Sequence, residues 1–303
     1  MNSIALVSVC MITYNHEQYI EEAILGVLMQ ECDFGVELII SNDNSPDNTD
    51  AIIQNIIKNH PKGSCIKYFK QEKNLGMMPN AVFALNQCKA KYIALCEGDD
   101  YWIDPLKLQK QVGFLENNEN YSLTIHNVER IDYNKTVQKL NEGNDNITID
   151  FKKLVKYDFG IPTCSWVYRN NFTPPTWLLD CEAGDWPMLY FLLNKSSCYY
   201  FADSMGAYRK HDIGVTKVIN NTNYHLMHIN LLKQFDKNEK HNHRKEVNKG
   251  LGILFLKAFI YERFSNKFKF QLLLNSFKYD AINLMMHKKK HIIYWIFFHR
   301  NIQ

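Results

Sequence analysis

Four short apolar runs recur in the first hundred residues, Ala5–Ile12, Val36–Ile40, Ile66–Phe69 and Tyr92–Cys96, spaced by roughly thirty residues each. Between them lie stretches with helical periodicity. Glu17–Gln30 places Ile20, Ala23, Ile24, Val27 and Leu28 on one stripe, and Asp47–Asn59 does the same with Ile52, Ile53, Ile56 and Ile57. Pro79–Lys89 carries Ala81, Val82, Ala84 and Leu85. Unbroken apolar strands alternating with amphipathic helices predict a Rossmann-like α/β half, a parallel sheet covered on both faces. In such sheets ligands bind beyond the carboxyl ends of the strands, so the residues just after each run are where chemistry is expected.

Further along, Asp104-Pro105 predicts a helix N-cap and first-turn proline, with the helix running through Leu106, Leu108, Val112 and Leu115. From Tyr121 to Asp150 the pattern is irregular, with apolar-polar alternation at Ser122–Val128 and an Asn-rich exposed loop at Asn141–Asn146. Ile161–Tyr168 regains strand character and Thr173-Pro174-Pro175 breaks it. Asp185-Trp186-Pro187 heads an apolar helix, Met188–Leu193, and a strand at Ser197–Ala202 leads into Tyr208-Arg209-Lys210-His211. Beyond about residue 216 the chain is helical in period and basic, ending in Lys288-Lys289-Lys290 and the aromatic Ile292–Phe298. The expected division is an α/β domain over 1–215 and a helical basic region over 216–303.

Composition narrows the possibilities. With 303 residues, 46% hydrophobic and 22% charged, the chain has a full core's worth of apolar residues, which excludes disordered and fibrous architectures. A formal net charge of +3 is too small to imply a nucleic-acid partner. The eight cysteines are scattered without a Cys-x-x-Cys pair, and Cys10 and Cys96 lie inside apolar runs, so they are expected to be reduced and buried, as in the cytoplasm. Ile4–Ile12 lacks the basic flank of a secretory signal, and no run approaches the ~20 apolar residues of a membrane helix. The basic-aromatic tail reads either as a packed amphipathic helix or as a peripheral contact with the inner face of a membrane.

The four strand ends are polar, acidic or Asn-rich: Thr13-Tyr14-Asn15, then Asn42-Asp43-Asn44-Ser45-Pro46-Asp47, then Asn74-Leu75-Gly76, then Glu97-Gly98-Asp99-Asp100-Tyr101-Trp102. No Gly-x-Gly-x-x-Gly or P-loop lysine is present, so a glycine loop does not by itself cradle phosphate. Clustered carboxylates call for a hard divalent cation, Mg2+ or Mn2+, and a cation bridging a diphosphate is the economical expectation.

This ordered set resembles the family 2 inverting glycosyltransferases with the nucleotide-diphospho-sugar transferase (GT-A) fold, over residues 4 to about 215. The resemblance implies a mixed α/β sheet flanked by helices, here with a helical C-terminal extension. It also implies sugar transfer from a nucleotide-sugar, commonly UDP-linked, to a glycan or lipid-linked acceptor, as in bacterial capsule or O-antigen synthesis. By position, Thr13, Tyr14, Asn15 and Glu17 would line the nucleotide pocket and Asp43 would meet the base. Asn74, Gly76 and Asn80 would approach the ribose and diphosphate. Asp99 would ligate the metal with Asp100 beside it and His211 as a further ligand, and Glu97 departs from the usual aspartate at the first acidic position. Arg209 and Lys210 belong to a segment resembling the late loop that closes on the diphosphate, and Asp185 stands where the family places its general base, with Gly184 in place of the preceding acid.

Simpler readings stand beside these. Asp43 and Asp47 could serve only turns and a helix cap, Asp99 and Asp100 a solvated loop, Asp185 an N-cap, and His211 could be an ordinary histidine. At the level of function the rivals are a sugar nucleotidylyltransferase, a hydrolase with paired carboxylates and a non-catalytic glycan-binding or assembly protein.

Overall fold

A computed structural model describes residues 5–132, 134–143, 145–156, 160–171, 177, 181, 183–194, 196–211, 221–261 and 266–287. The chain begins β1 (Val7–Thr13), α1 (Ile20–Leu28), β2 (Val36–Asn42), α2 (Thr49–Asn59), β3 (Ile66–Lys70), α3 (Met77–Gln87) and β4 (Tyr92–Leu95). It continues β5 (Tyr101–Trp102), α4 (Lys107–Asn117), β6 (Tyr121–Ile131), β7 (Val137–Lys139), β8 (Ile147–Ile149), α5 (Phe151–Leu154), β9 (Val167–Arg169), α6 (Asp185–Leu193) and β10 (Ser197–Arg209). Three helices follow, α7 (Asn221–Asn238), α8 (Arg244–Tyr261) and α9 (Asn266–His287).

The strands form one mixed sheet in the order β3-β2-β1-β4-β9-β6-β10-β5, with β7 on β6 and β8 on β10. The first four strands are mutually parallel, as the apolar runs predict. Val7, Val9, Met11, Leu38 and Ile40 are sealed from solvent together with Ile20, Ile24 and Val27 of α1, Ile53 of α2, and Leu108, Val112 and Leu115 of α4. Each such side chain is worth about 1.5–3 kcal/mol of burial, so register in this half is strongly specified. That register sets β1, β2 and β4 side by side and brings their carboxyl ends to one edge.

Beyond β4 the structure departs from the simple pattern. β9 runs antiparallel to both β4 and β6, and it is shorter than the expected Ile161–Tyr168 strand because Thr163–Ser165 forms a 3-10 turn. β10 does not stop at Ala202. It continues to Arg209 through register shifts around Ser204, which carry a strand past the polar Asp203-Ser204 and deliver Arg209 beside the acidic loop. The helix after Asp104 begins at Lys107: the Asp104 carboxylate accepts the Leu106 N–H at 2.8 Å and its carbonyl accepts the Lys107 N–H, forming a turn before α4 instead of its cap.

Two compact units are present. The first holds the sheet and comprises Met1–Asp150, Phe159–Asp185 and Leu192–Asp212. The second takes in Phe151–Asp158 and Trp186–Phe191 as well as Ile213–Gln303, so it draws two segments from inside the stretch expected to form the α/β domain. Within the second unit α7, α8 and α9 bury Leu232, Phe235, Leu251, Phe255, Phe259, Leu272 and Leu273, and the Ser276 hydroxyl donates to the Gly252 carbonyl at 2.8 Å. Among the described residues no helix is long and apolar enough to cross a membrane. Six of the cysteines are buried, and Cys32 and Cys65 are half-buried. The Lys288–Phe298 tail and the Thr173-Pro174-Pro175 break lie outside the described residues.

Candidate functional site

The ends of β1 and β2 are joined by side-chain to backbone bonds that follow from their Asn, Ser and Asp content. Asn15 turns the chain with φ +60°, a conformation asparagine tolerates better than most residues. Its N–H then donates to the Ser45 hydroxyl, that of His16 to the Thr49 hydroxyl and that of Glu17 to Asp47. Asn48 donates in return to Glu17 Oε2, from both its backbone and its side-chain amide, at 3.0 Å. Glu17 and Asn15 thereby fasten two loops together, while Tyr14 stands 45% exposed at the rim.

Asp43 is buried, and its two carboxylate oxygens accept the N–H groups of Leu75 at 2.7 Å and Gly76 at 2.9 Å. It is therefore a bridge from β2 to the loop before α3 and not merely a local turn. Gly76 adopts φ +90°, which any side chain would strain, and Asn74 Oδ1 also accepts its N–H. Asn80 is buried one turn into α3. Its amide is engaged twice by Ser41, accepting from the hydroxyl at 2.6 Å and donating to the carbonyl at 3.1 Å, so it anchors α3 to β2.

The acidic loop after β4 lies directly on β1. Gly98 donates to the Ile12 carbonyl, and a Cβ at this position would sit 2.6 Å from Thr13 Oγ1 and 3.0 Å from His16 Nδ1. Asp99 Oδ2 is 3.0 Å from His211 Nε2 and 3.8 Å from His16 Nε2. Burial alone would raise the Asp99 carboxyl, but the His211 hydrogen bond and the charges of His16 and His211 hold it below the ordinary carboxylate value. Asp100 is buried and accepts the Arg209 backbone N–H at 3.0 Å. Burial, reinforced by Asp99 and Glu97, pushes its carboxyl well above the usual range.

Arg209 ties the loop in place. Its guanidinium donates to the Asp99 carbonyl, pairs with Glu22 and stacks over Tyr101 at 4.1 Å. Lys210 is half-buried and donates its backbone N–H to Ile131. Glu97 is pushed up to about 7 by burial and then by the charges of Asp99 and Asp185, against a hydrogen bond with Thr163. Its Oε2 has no hydrogen-bond partner among the described residues.

Asp185 opens α6 half-buried, and its charge reaches Glu97. Gly184 packs against Met78 at the start of α3, where a Cβ would be 2.6 Å from the Met78 methyl carbon. The residues expected from the sequence thus gather along one edge of the first unit: Thr13, Asp43, Asn74, Gly76, the 97–100 loop, Arg209 and His211, with Asp185 beside Glu97. Three residues passed over in the sequence belong with them. His16 and Tyr19 flank His211, the Tyr19 ring at 4.8 Å, and Glu22 holds Arg209. His16 could have been found as the next polar residue after Thr13-Tyr14-Asn15. Glu22 could not, because its partner is 187 residues away.

The donor set bears on a divalent cation. Among the described residues no three His, Cys, Asp or Glu side chains form a closed metal cluster. Asp99 Oδ2 and His211 Nε2 converge, however, and a carboxylate-imidazole pair at 3.0 Å fits a cation that completes its shell with water and phosphate oxygens, as Mg2+ and Mn2+ do.

The sequence profile of glycosyl transferase family 2 matches residues 8–173, more than half of the chain. The chain belongs to this family. An uncharacterised protein of Mycobacterium tuberculosis is 40% identical over 121 residues, 40% of this chain and 34% of that protein. An uncharacterised glycosyltransferase of Methanocaldococcus jannaschii is 35% identical over 157 residues, 51% of each. The GalNAc(5)-diNAcBac-PP-undecaprenol beta-1,3-glucosyltransferase of Campylobacter jejuni is 34% identical over 95 residues, 31% of this chain and 29% of that protein. This family 2 chain therefore spans from under a third to about half the length of these curated relatives. Among solved structures, S. aureus TarS 1-349 in complex with UDP-GlcNAc matches with a TM-score of 0.54 at 14% identity, covering 94% of this chain and 76% of that one. Mannosyltransferase PcManGT from Pyrobaculum calidifontis in complex with GDP-Man and Mn2+ matches with a TM-score of 0.52 at 13% identity, covering 99% and 81%. These likenesses establish the fold as GT-A, the mixed sheet flanked by helices that the family resemblance implies.

Proposed function

We propose that this family 2 protein is an inverting glycosyltransferase that moves a sugar from a nucleotide-diphospho-sugar, UDP-linked, to a glycan or lipid-linked acceptor in bacterial surface polysaccharide synthesis. The observation that carries the reading is the convergence on one sheet edge of a nucleotide-type loop bridged by Asp43, the Asp99–His211 pair and the Asp185 carboxylate. The C. jejuni relative's name describes glucosyl transfer to an undecaprenol-linked glycan, which supports a lipid-linked acceptor here. A glycan-binding protein would have no need of the acidic loop, and a nucleotidylyltransferase would place a basic Gly-rich loop after β1, where this chain has Thr13-Tyr14-Asn15-His16.

In this reading the base and ribose lie along Thr13, Tyr14, Asp43 and the Asn74–Gly76 loop. Asp99 and His211 would hold a divalent cation, Mn2+ or Mg2+, whose positive charge offsets the charge developing on the departing diphosphate. The acceptor hydroxyl attacks the anomeric carbon as the carbon to phosphate-oxygen bond breaks, and the Asp185 carboxylate takes the hydroxyl proton. The nucleoside diphosphate leaves with the bonding electrons. Arg209 serves by fixing the loop that carries Asp99, and Lys210 beside it would meet phosphate. The enzyme would work in the cytoplasm, with its basic-aromatic tail adsorbed at the inner membrane face.

A calorimetric titration of UDP with and without Mn2+ tests this. The parent should bind UDP more tightly with Mn2+, and Asp99→Asn should lose that enhancement while remaining folded. An undiminished Mn2+ enhancement in Asp99→Asn would overturn the metal assignment.

A further inference from the structure

His16 is aimed at the acidic loop by everything around it. Its backbone N–H is held by Thr49 at 3.0 Å, and its Nδ1 lies 3.2 Å from the Thr13 hydroxyl. The ring meets those of Tyr19 and His211 edge-on, with centroids 6.3 and 6.1 Å away. Gly98, lacking a Cβ, lets the acidic loop lie against the same ring. Nε2 is left facing Asp99 Oδ2 at 3.8 Å, beyond hydrogen-bond length, while His211 Nε2 holds that oxygen at 3.0 Å.

These two imidazoles cannot act alike once a cation is bound. A histidine that ligates through Nε2 offers its lone pair there and no longer donates to a carboxylate, so Asp99 loses its hydrogen bond from His211. We propose that His16 is the positioning residue of the metal-binding carboxylate: when His211 gives Nε2 to a divalent cation, the His16 Nε2–H closes on Asp99 and takes over as its hydrogen-bond donor. This rests on the reading that Asp99 and His211 hold the cation. The Thr13 hydroxyl lies within hydrogen-bond reach of Nδ1, and donation from it there would leave the proton on Nε2. Arg209 does not substitute, because its guanidinium binds the Asp99 carbonyl and not its carboxylate. Outer partners of this kind orient the metal's ligands and change metal affinity by 10–100-fold when removed.

The test uses the full chain with UDP and Mn2+, reading bound Mn2+ by electron paramagnetic resonance. His16→Leu should weaken Mn2+ binding about 10–100-fold, and His16→Gln, which keeps a side-chain N–H, should restore it to within a few-fold. UDP binding without metal, measured for each protein, is the baseline against which its Mn2+ binding is read. Nitrogen hyperfine couplings of Mn2+ in the parent should report one imidazole, that of His211. Parent-like Mn2+ binding by His16→Leu, failure of His16→Gln to rescue, or two coupled imidazoles in the parent would each overturn the proposal. Asp99→Asn separates the two readings. If it retains Mn2+, the cation site itself is wrong and the role of His16 falls with it; if it loses Mn2+ while His16→Leu does not, only the His16 role is refuted.

Discussion

Lys107, the first residue of α4, is wholly buried, with its Nζ 3.9 Å from the Trp102 ring centroid and no hydrogen-bond acceptor among the described residues. Burial lowers its pKa to about 7 from an ordinary 10.5. Below pH 7 both folded and unfolded chains carry the proton. Between pH 7 and 10.5 only the unfolded chain does, so the unfolded state binds the extra proton and stability rises with pH across that window. At 1.36 kcal/mol per unit the full shift corresponds to about 5 kcal/mol, and the cation–π contact with Trp102, which favours the charged form, reduces this by up to about 2 kcal/mol. Lys107→Met keeps the unbranched stem and removes the titration. The variant should be the more stable protein at pH 7, by about 3 kcal/mol. Because the cation–π contact keeps the proton on to higher pH, the advantage should be flat just above pH 7, then shrink at about 1.4 kcal/mol per unit and be largely gone by about pH 10. Urea unfolding of both proteins at several pH values measures the gap, and groups common to both cancel. A gap independent of pH between 7 and 10 would refute the argument.

Gly98→Ala should cost about 1–3 kcal/mol in urea unfolding, because the new methyl collides with Thr13 and His16; an unchanged midpoint would mean the loop has room it does not show. Asp185→Asn should leave donor affinity unchanged and cut turnover by ~10² or more, and turnover within a few-fold of the parent would give the base role to another acid. Deleting residues 287–303 should weaken sedimentation with anionic liposomes, since three consecutive lysines at about 1 kcal/mol each favour an anionic surface; equal sedimentation of folded full-length and truncated chains would exclude the tail as the contact.

The parallel half was legible because β1, β2 and β4 are sealed on both faces, which leaves an uninterrupted apolar run as their trace. β10 was only half legible, since its continuation crosses Asp203 and Ser204 through irregular register, where alternation fails. Asp104 carried the composition of a cap, yet the turn it closes delays α4 by two residues, to Lys107. Within the site, Asp43 and the Asn74–Gly76 loop were readable as strand-end polar residues, but that one bridges the other depends on a contact across 32 residues. The engagement of Arg209 by Glu22, Tyr101 and the Asp99 carbonyl was invisible for the same reason, and it changes the part Arg209 can play.

Whether this family 2 chain uses a nucleotide-diphospho-sugar as donor is decided by incubating it with a panel of UDP-, GDP- and dTDP-sugars with and without Mn2+ and measuring nucleoside diphosphate release. Mn2+-dependent release is expected from a UDP-sugar and should be lost in Asp99→Asn. Release from none of the panel, with no binding of any member in the presence of Mn2+, would contradict that donor use.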